Sequence, residues 1–195
     1  MSYKSLFRKP MRLSRGISPR SSVLSSYLIV PKPPPFCARL RFVTRDGNWL
    51  SALINWREMS YVSHVEAVLS DGSIIAALIG EGVVRKPNDY DKTSTSQIFV
   101  DVEMSDHALF LWESYLKSRL GRPYDLDAIA GIAVHLDWRH RGGFMCSMIQ
   151  TLALRAADVF HWPLSEPAHE ITPRDLLLIL SAHPSAIVHP KEDRK

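Results

Sequence analysis

One cysteine stands where it could act as a nucleophile. Cys146 follows the flexible polar stretch Arg141-Gly-Gly143, at the point where an amphipathic helix is predicted to start. At a helix N-terminus the free N–H groups carry partial positive charge, which lowers the pKa of a thiol and favours the reactive thiolate. The alternative interpretation is a buried structural cysteine, because free cysteine is among the most buried residue types.

A base for this thiol is available on a predicted strand. His64 and Glu66 are two residues apart, so on a strand their side chains project from the same face. A carboxylate beside an imidazole can hold its tautomer and stabilise the imidazolium, as in sites built from nucleophile, base and orienting group. The alternative is that this face is the solvent side of a half-exposed hairpin.

The strands that would carry these groups follow from the apolar pattern. Residues 38–44 read as a strand, and residues 61–69 and 73–79 are two strands joined by Asp71-Gly72, a strong hairpin signal. A short extended piece over residues 82–85 and a strand over residues 97–102 complete the predicted sheet. We expect a small antiparallel sheet.

Helices are predicted around this sheet at five places, over residues 48–58, 105–120 and 124–135, from Cys146 and from Thr172-Pro173. Ser105 should cap the second of them, and Pro173 suits the first turn of the last. The apolar spacing of the second helix predicts a buried side formed by Leu109, Trp112, Leu116 and Leu120. Strands and helices together predict an α+β fold.

Charge divides the chain of 195 residues into an arm and a body. Residues 1–45 hold ten Lys or Arg and no Asp or Glu, for +10, whereas the remaining 150 residues hold 14 basic and 20 acidic side chains, for −6. We expect residues 1–36 to be a Ser-, Arg- and Pro-rich basic arm, disordered or ordered by a partner, and residues 37–195 to be the domain. The arm is either a solvated tail, an anchor for nucleic acid or another anionic surface, or a docking segment in an assembly.

Several classes of protein are excluded by composition. No apolar run reaches the 18 or more residues of a membrane span or the apolar stretch of a secretory signal peptide. Two cysteines, Cys37 and Cys146, cannot form a disulfide framework or a four-cysteine zinc site, and a reducing compartment fits best. His135 and His140 lie near Asp137 but lack further metal-ligand spacing, so we expect no metal.

A family resemblance appears when the motifs are taken in order. Five motifs follow one another along the chain. In order, they are the string from Ser63 to Gly72 that contains His64-Val-Glu66, then Gly82-Val-Val84, Gly121-Arg-Pro-Tyr-Asp125 with Ala128-Ile-Ala-Gly131, Phe144-Met-Cys-Ser147 and Ile171-Thr-Pro-Arg-Asp-Leu176. In this order they resemble the circularly permuted NlpC-type cysteine hydrolases of the papain-like superfamily. The match covers residues 38 to about 182 and leaves the arm unexplained.

The resemblance implies a permuted papain-like domain with Cys146 as nucleophile and His64 as base. Glu66 occupies the acidic position of the His-x-acid pattern and is the orienter that it implies. Tyr124 matches a family tyrosine that lines the pocket, helps an oxyanion or only packs at a helix start. Ser147 follows the nucleophile, at the helix start whose backbone N–H groups would stabilise an oxyanion. Family members commonly read Cys-Ser-Glu, whereas this chain has Met148 in place of the acid.

The implied function is hydrolysis of an amide bond through a thiol, with peptidoglycan peptides as substrate and no metal or organic cofactor. Lipid or other acyl groups are the runner-up substrate, because permuted relatives include acyltransferases. Similar proteins occur among phage genes, so a non-enzymatic virion or assembly protein that retains the fold is the competing class. Nucleic-acid binding by the arm is a third hypothesis, and its affinity would fall steeply with salt. The expected location is the bacterial cytoplasm or a phage virion.

Overall fold

The computed structural model describes residues 30–45, 62–126, 143–160, 164 and 166–193. Within these residues the chain forms an α+β fold in which seven strands make one antiparallel sheet and three helices accompany it. The strands are β1 (Cys37–Arg45), β2 (His64–Val68), β3 (Ile74–Leu78), β4 (Gly82–Lys86), β5 (Ser94–Glu103), β6 (Ala186–Val188) and β7 (Glu192–Asp193). The helices are α1 (Asp106–Ser118), α2 (Cys146–Ala156) and α3 (Pro173–Ser181). The predicted helix over residues 48–58 lies outside the described residues.

The sheet is ordered β4-β3-β2-β1-β5-β6, and β7 also pairs with β5, at Ser96 and Gln97, whereas β6 pairs with β5 at residues 100–102. The predicted hairpin is confirmed: β2 and β3 pair through Ala67 with Ile75, and Gly72 turns the chain with a φ of 85°. Glycine adopts this left-handed conformation without the steric cost that a side chain would bring. Sequence analysis missed β6 and β7, which are too short to show a period.

Two of the three helices in the described residues, α1 and α3, begin where their capping residues predict. The Ser105 side chain accepts a hydrogen bond from the Ala108 N–H at the start of α1, and α3 has Thr172 as its N-cap, Pro173 in its first turn and a capping box with Asp175. The prediction that Leu120 belongs to the buried side of α1 is wrong, because α1 ends at Ser118 and Leu120 is 41% exposed.

Alternation along the strands gives the sheet two different faces. One face packs on the helices: Leu40 and Phe42 of β1 and Val65 of β2 lie in the same buried cluster as Trp112 of α1 and Ile149 of α2. The other face carries buried polar side chains at the centre of the sheet, namely Arg39, Arg41, His64, Glu66, Gln97 and Asp101, beside a smaller apolar cluster. The polar face is therefore buried and is not the solvent side of a hairpin.

A non-helical segment links the edge of the sheet to the start of α2. Val83 of β4 exchanges two backbone hydrogen bonds with the segment 121–122, and Tyr124 forms a parallel bridge with Phe144, two residues before Cys146. The predicted helix over residues 124–135 therefore does not begin at Tyr124, because the Tyr124 backbone is extended against Phe144. Residues 127–135 of that prediction lie outside the described residues.

The end of the expected basic arm lies against the sheet. Val30 is 5% exposed and packs in the smaller apolar cluster with Val68 and Phe99. The backbone oxygens of Pro31 and Lys32 accept hydrogen bonds from the Arg39 guanidinium. Residues 1–29 of the expected arm lie outside the described residues. No helix in the described part of the chain is long and apolar enough to cross a membrane.

Candidate active site

The structure brings Cys146 and His64 into contact. Cys146 is the first residue of α2, after the N-cap Met145, and His64 is the first residue of β2. The Cys146 thiol is hydrogen-bonded to the His64 ring and is also approached by the backbone N–H groups of Val65 and Ser147. The thiol and the imidazole are thus within the reach that proton transfer requires.

The surroundings favour the ionised form of the Cys146 thiol. Burial alone would raise its pKa, but the charge of His64, the hydrogen bond from its ring and the two backbone N–H groups outweigh burial, so the pKa lies below its ordinary value. The first turn of α2 contains no acidic residue, and Met148 is the third residue of the helix. Met148 packs, partly buried, against the main core cluster.

Cys37 provides a contrast within the same chain. It is also buried, at the start of β1, but burial raises the pKa of its thiol and the carboxylates of Asp101 and Glu103 raise it further, against a smaller lowering by Arg39. The two cysteines are therefore expected to differ strongly in reactivity, because the thiolate is the nucleophilic form.

Glu66 lies beside His64, as the two-residue spacing on β2 predicts. Its Oε2 is 3.6 Å from the His64 Nε2, and its side chain is fully buried. The carboxylate is therefore close enough to the imidazole for an ionic interaction, on the polar face of the sheet. An anionic group in this position stabilises a protonated ring.

Two residues that sequence analysis did not identify hold the Glu66 carboxylate. Arg41, on the neighbouring strand β1 and in register with Glu66, donates from Nη1 to Glu66 Oε1 at 2.7 Å. The Tyr90 hydroxyl, from the connection between β4 and β5, donates to Glu66 Oε2. Arg41 is itself fully buried, and its Nε donates to Gln97 Oε1 of β5 at 2.8 Å. The signal for Arg41 is its alternation with Leu40 and Phe42 on a central strand, which puts it on the face of Glu66.

Ser147 and Tyr124 have different relations to the thiol. Ser147 is buried, its N–H is directed at the Cys146 sulfur, and its backbone oxygen accepts a hydrogen bond from the Thr151 hydroxyl at 2.9 Å. Tyr124 lies in the extended segment beside Phe144 and packs, partly buried, against the main core cluster. The backbone of Ser147 is thus at the Cys146 sulfur, whereas Tyr124 is beside the segment that leads into α2.

Among the described residues, no group of three or more His, Cys, Asp or Glu side chains could hold a metal ion. Asp137, His135 and His140 lie outside that part of the chain. Comparison of the sequence with protein-family models finds no matching family, and comparison with curated proteins finds no match.

Proposed function

We propose that this protein is a cysteine hydrolase that cleaves an amide bond, with Cys146 as nucleophile, His64 as general base and Glu66 as the group that orients His64. The observation that carries the proposal is the hydrogen bond between a thiol at a helix N-terminus and an imidazole that has a buried carboxylate behind it. A structural cysteine needs none of these neighbours. Their combination is typical of an activated nucleophile.

The proposed reaction proceeds through an acyl-enzyme. His64 accepts the Cys146 proton, and the thiolate attacks the carbonyl carbon of the amide to give a tetrahedral intermediate. The intermediate collapses as the carbon–nitrogen bond breaks, and the imidazolium of His64 returns the proton to the leaving amine. Water, deprotonated by His64, then attacks the thioester carbonyl, which releases the carboxylic acid and restores the thiol.

Backbone donors are available for the negative charge that develops on the carbonyl oxygen. The N–H groups of Ser147 and Val65 both point at the sulfur, which places them beside the carbon that the sulfur attacks. Fixed donors of this kind stabilise the oxyanion more in the transition state than in the ground state. Ser147 is the primary candidate, because a helix N-terminus also contributes its dipole.

The fold family and the substrate are part of the same proposal. The order of histidine strand before cysteine helix agrees with a permuted papain-like, NlpC-type domain, and peptidoglycan peptides are the proposed substrate. Lipid or other acyl esters are the alternative substrate. Action in the bacterial cytoplasm or from a phage virion, and recruitment through residues 1–36, remain part of this proposal.

The test compares the two cysteines and then measures turnover. In single variants Cys37→Ser and Cys146→Ser, the pH dependence of iodoacetamide alkylation reports the ionisation of the remaining thiol. We expect Cys146 to react well below the ordinary midpoint of about pH 8.5, and Cys37 to react above it. Purified muropeptides and a short-chain acyl ester are then incubated with the Cys37→Ser chain and with Cys146→Ala, and products are identified by mass spectrometry.

Cleavage of muropeptides by the Cys37→Ser chain, but not by Cys146→Ala, supports the proposal. If the Cys37→Ser chain cleaves the ester but not the muropeptides, the alternative substrate class is identified. A Cys146 midpoint at or above about pH 9, or equal turnover with Cys146→Ala, overturns the proposal. The first of these results would favour the non-enzymatic assembly protein, because an unactivated thiol has no role in the proposed chemistry.

A further inference from the structure

Two buried arginines on β1 offer a natural comparison. Arg39 and Arg41 are on the same face of the strand, each nearly inaccessible to solvent, and each is paired with a buried carboxylate. Arg39 binds Asp101 through Nε and Nη2, at 2.6 and 2.7 Å. Arg41 binds Glu66, the carboxylate that lies 3.6 Å from His64. Only the second pair, among the described residues, is in contact with the proposed active site.

We propose that Arg41 and Tyr90 are positioning residues, which keep the Glu66 carboxylate ionised and directed at His64. The inference rests on the proposed function, because it assigns a role to groups behind the proposed base. Neither residue touches the thiol or a substrate in this scheme. Both act through Glu66, Arg41 from the neighbouring strand β1 and Tyr90 from the connection between β4 and β5.

The physical reason is the cost of a buried charge. A carboxylate that is removed from water and left without partners favours its protonated, neutral form. Arg41 supplies an opposite charge at 2.7 Å, and the Tyr90 hydroxyl supplies a hydrogen bond to the oxygen that faces His64. With Glu66 ionised, the imidazolium is stabilised, and the thiolate–imidazolium pair is favoured over the neutral pair.

The other polar groups near Arg41, Glu66 and His64 come from the connection before β5, from β5 and β7, and from α2. Asp91, in the connection before β5, has Oδ2 at 3.7 Å from Arg41 Nη1. Gln97 of β5 accepts from Arg41 and donates to Glu192 of β7 at 2.6 Å. On the side of α2 the neighbour of His64 is Cys146. Asp91 contacts Arg41 and Glu192 contacts Gln97, whereas Glu66 contacts the imidazole itself.

The test measures alkylation of Cys146 by iodoacetamide at pH 7 and at about pH 10, in a Cys37→Ser background. Arg41→Met should slow the reaction at pH 7 about tenfold, the lower end of the effect of an opposite charge within about 4–6 Å, and leave the rate at pH 10 nearly unchanged. Arg41→Lys should recover part of the rate. Arg39→Met is the matched control, because it removes an equally buried arginine from a carboxylate, Asp101, that keeps His189 as a partner at 2.7 Å and does not act on the Cys146 thiol, and its rate should equal that of the parent.

The failures of the two proposals are distinguishable. A parent chain with an ordinary or high midpoint overturns the proposed function itself. A parent with a low midpoint, together with equal rates at pH 7 for folded Arg41→Met and Arg39→Met, overturns only the positioning role. A decrease in Arg41→Met that the lysine variant partly reverses supports it.

Tyr90→Phe keeps the test decisive if Arg41→Met does not fold, because Tyr90 is only partly buried. We expect about a threefold slower reaction at pH 7, from loss of one hydrogen bond to a charged group. Tyr115→Phe is its control: this tyrosine is also partly buried, and its ring lies 4.6 Å from the Arg119 guanidinium, away from Glu66. Equal rates in the two phenylalanine variants overturn the role of Tyr90, and an unchanged melting temperature in both confirms that the fold is intact.

Discussion

Glu113 links α1 to the turn of the hairpin that carries His64, and its neutralisation should weaken that link in a pH-dependent way. Its Oε1 accepts a hydrogen bond from the Ser70 N–H at 2.9 Å, and its Oε2 accepts one from Lys117 at 2.6 Å. Burial raises the pKa of Glu113, but the two hydrogen-bonded partners outweigh it, so the pKa lies below its ordinary value. The ionised form is therefore the one that stabilises the fold.

The magnitude follows from the two contacts. A hydrogen bond to a charged acceptor contributes about 1.5–3 kcal/mol, roughly twice a neutral one, so Glu113→Gln should lose about 1 kcal/mol at the Ser70 N–H. The pair with Lys117 is an i,i+4 helical pair in which the lysine side chain is 45% exposed, and it adds about 0.3–0.5 kcal/mol. We expect Glu113→Gln to lower the free energy of unfolding by about 1–1.5 kcal/mol at pH 7.

The sign of the pH dependence distinguishes this explanation from loss of packing. A carboxyl group whose pKa is depressed in the folded state contributes stability above its unfolded value of about 4.3, and the contribution disappears as pH falls through the folded value. The difference between parent and Glu113→Gln, measured by urea unfolding, should therefore shrink toward zero between pH 5 and about pH 3. Glu170→Gln, at a half-exposed position, should stay within about 0.5 kcal/mol of the parent throughout. A difference that is as large at pH 3 as at pH 7 would refute the electrostatic explanation.

Three further predictions concern other parts of the molecule. Gly82→Ala places a Cβ 2.3 Å from the Arg122 backbone oxygen at a φ of 77°, so it should lower the free energy of unfolding in urea by at least about 3 kcal/mol. Gly80→Ala has a similar φ of 80° but open space around the Cβ, so it should lower that free energy by only about 1 kcal/mol. Val30→Ala should cost about 2 kcal/mol in the same measurement, since Val30 is packed against the sheet, and an unchanged stability would contradict that packing. In steady-state turnover, Glu66→Gln should reduce kcat by a smaller factor than Cys146→Ala, because an orienting group is less costly to lose than the nucleophile; equal losses would argue against that division of roles.

Local sequence signals were sufficient to predict the features that depend only on neighbouring residues. The Asp71-Gly72 turn, the Ser105 cap and the Thr172-Pro173 start each depend on residues within a few positions, and each is present as predicted. The shared face of His64 and Glu66 also follows from alternation along one strand. These features required no knowledge of how distant segments pair.

The environment of Glu66 could not be predicted in the same way. Arg41 reaches it only because β1 and β2 pair with one particular register, and Tyr90 reaches it from an irregular connection. Tyr124 shows the reverse problem: its neighbours suggest a helix, but pairing with Phe144 keeps its backbone extended. Strand register and tertiary contacts decide the positions of Arg41 and Tyr90, and at Tyr124 tertiary pairing overrides local propensity.

The hydrogen bond between Gln97 and Glu192 also has a consequence for the order in which the protein folds. It joins residues 95 positions apart, and the neighbouring contact of His189 with Asp101 joins residues 88 apart. Contacts of such separation carry a large loop-closure entropy and form slowly, after hairpins such as β2–β3. We therefore expect β6 and β7 to pair with β5 late in folding. Until then one edge of β5 is uncovered, and this edge is where newly made chains would pair wrongly with one another.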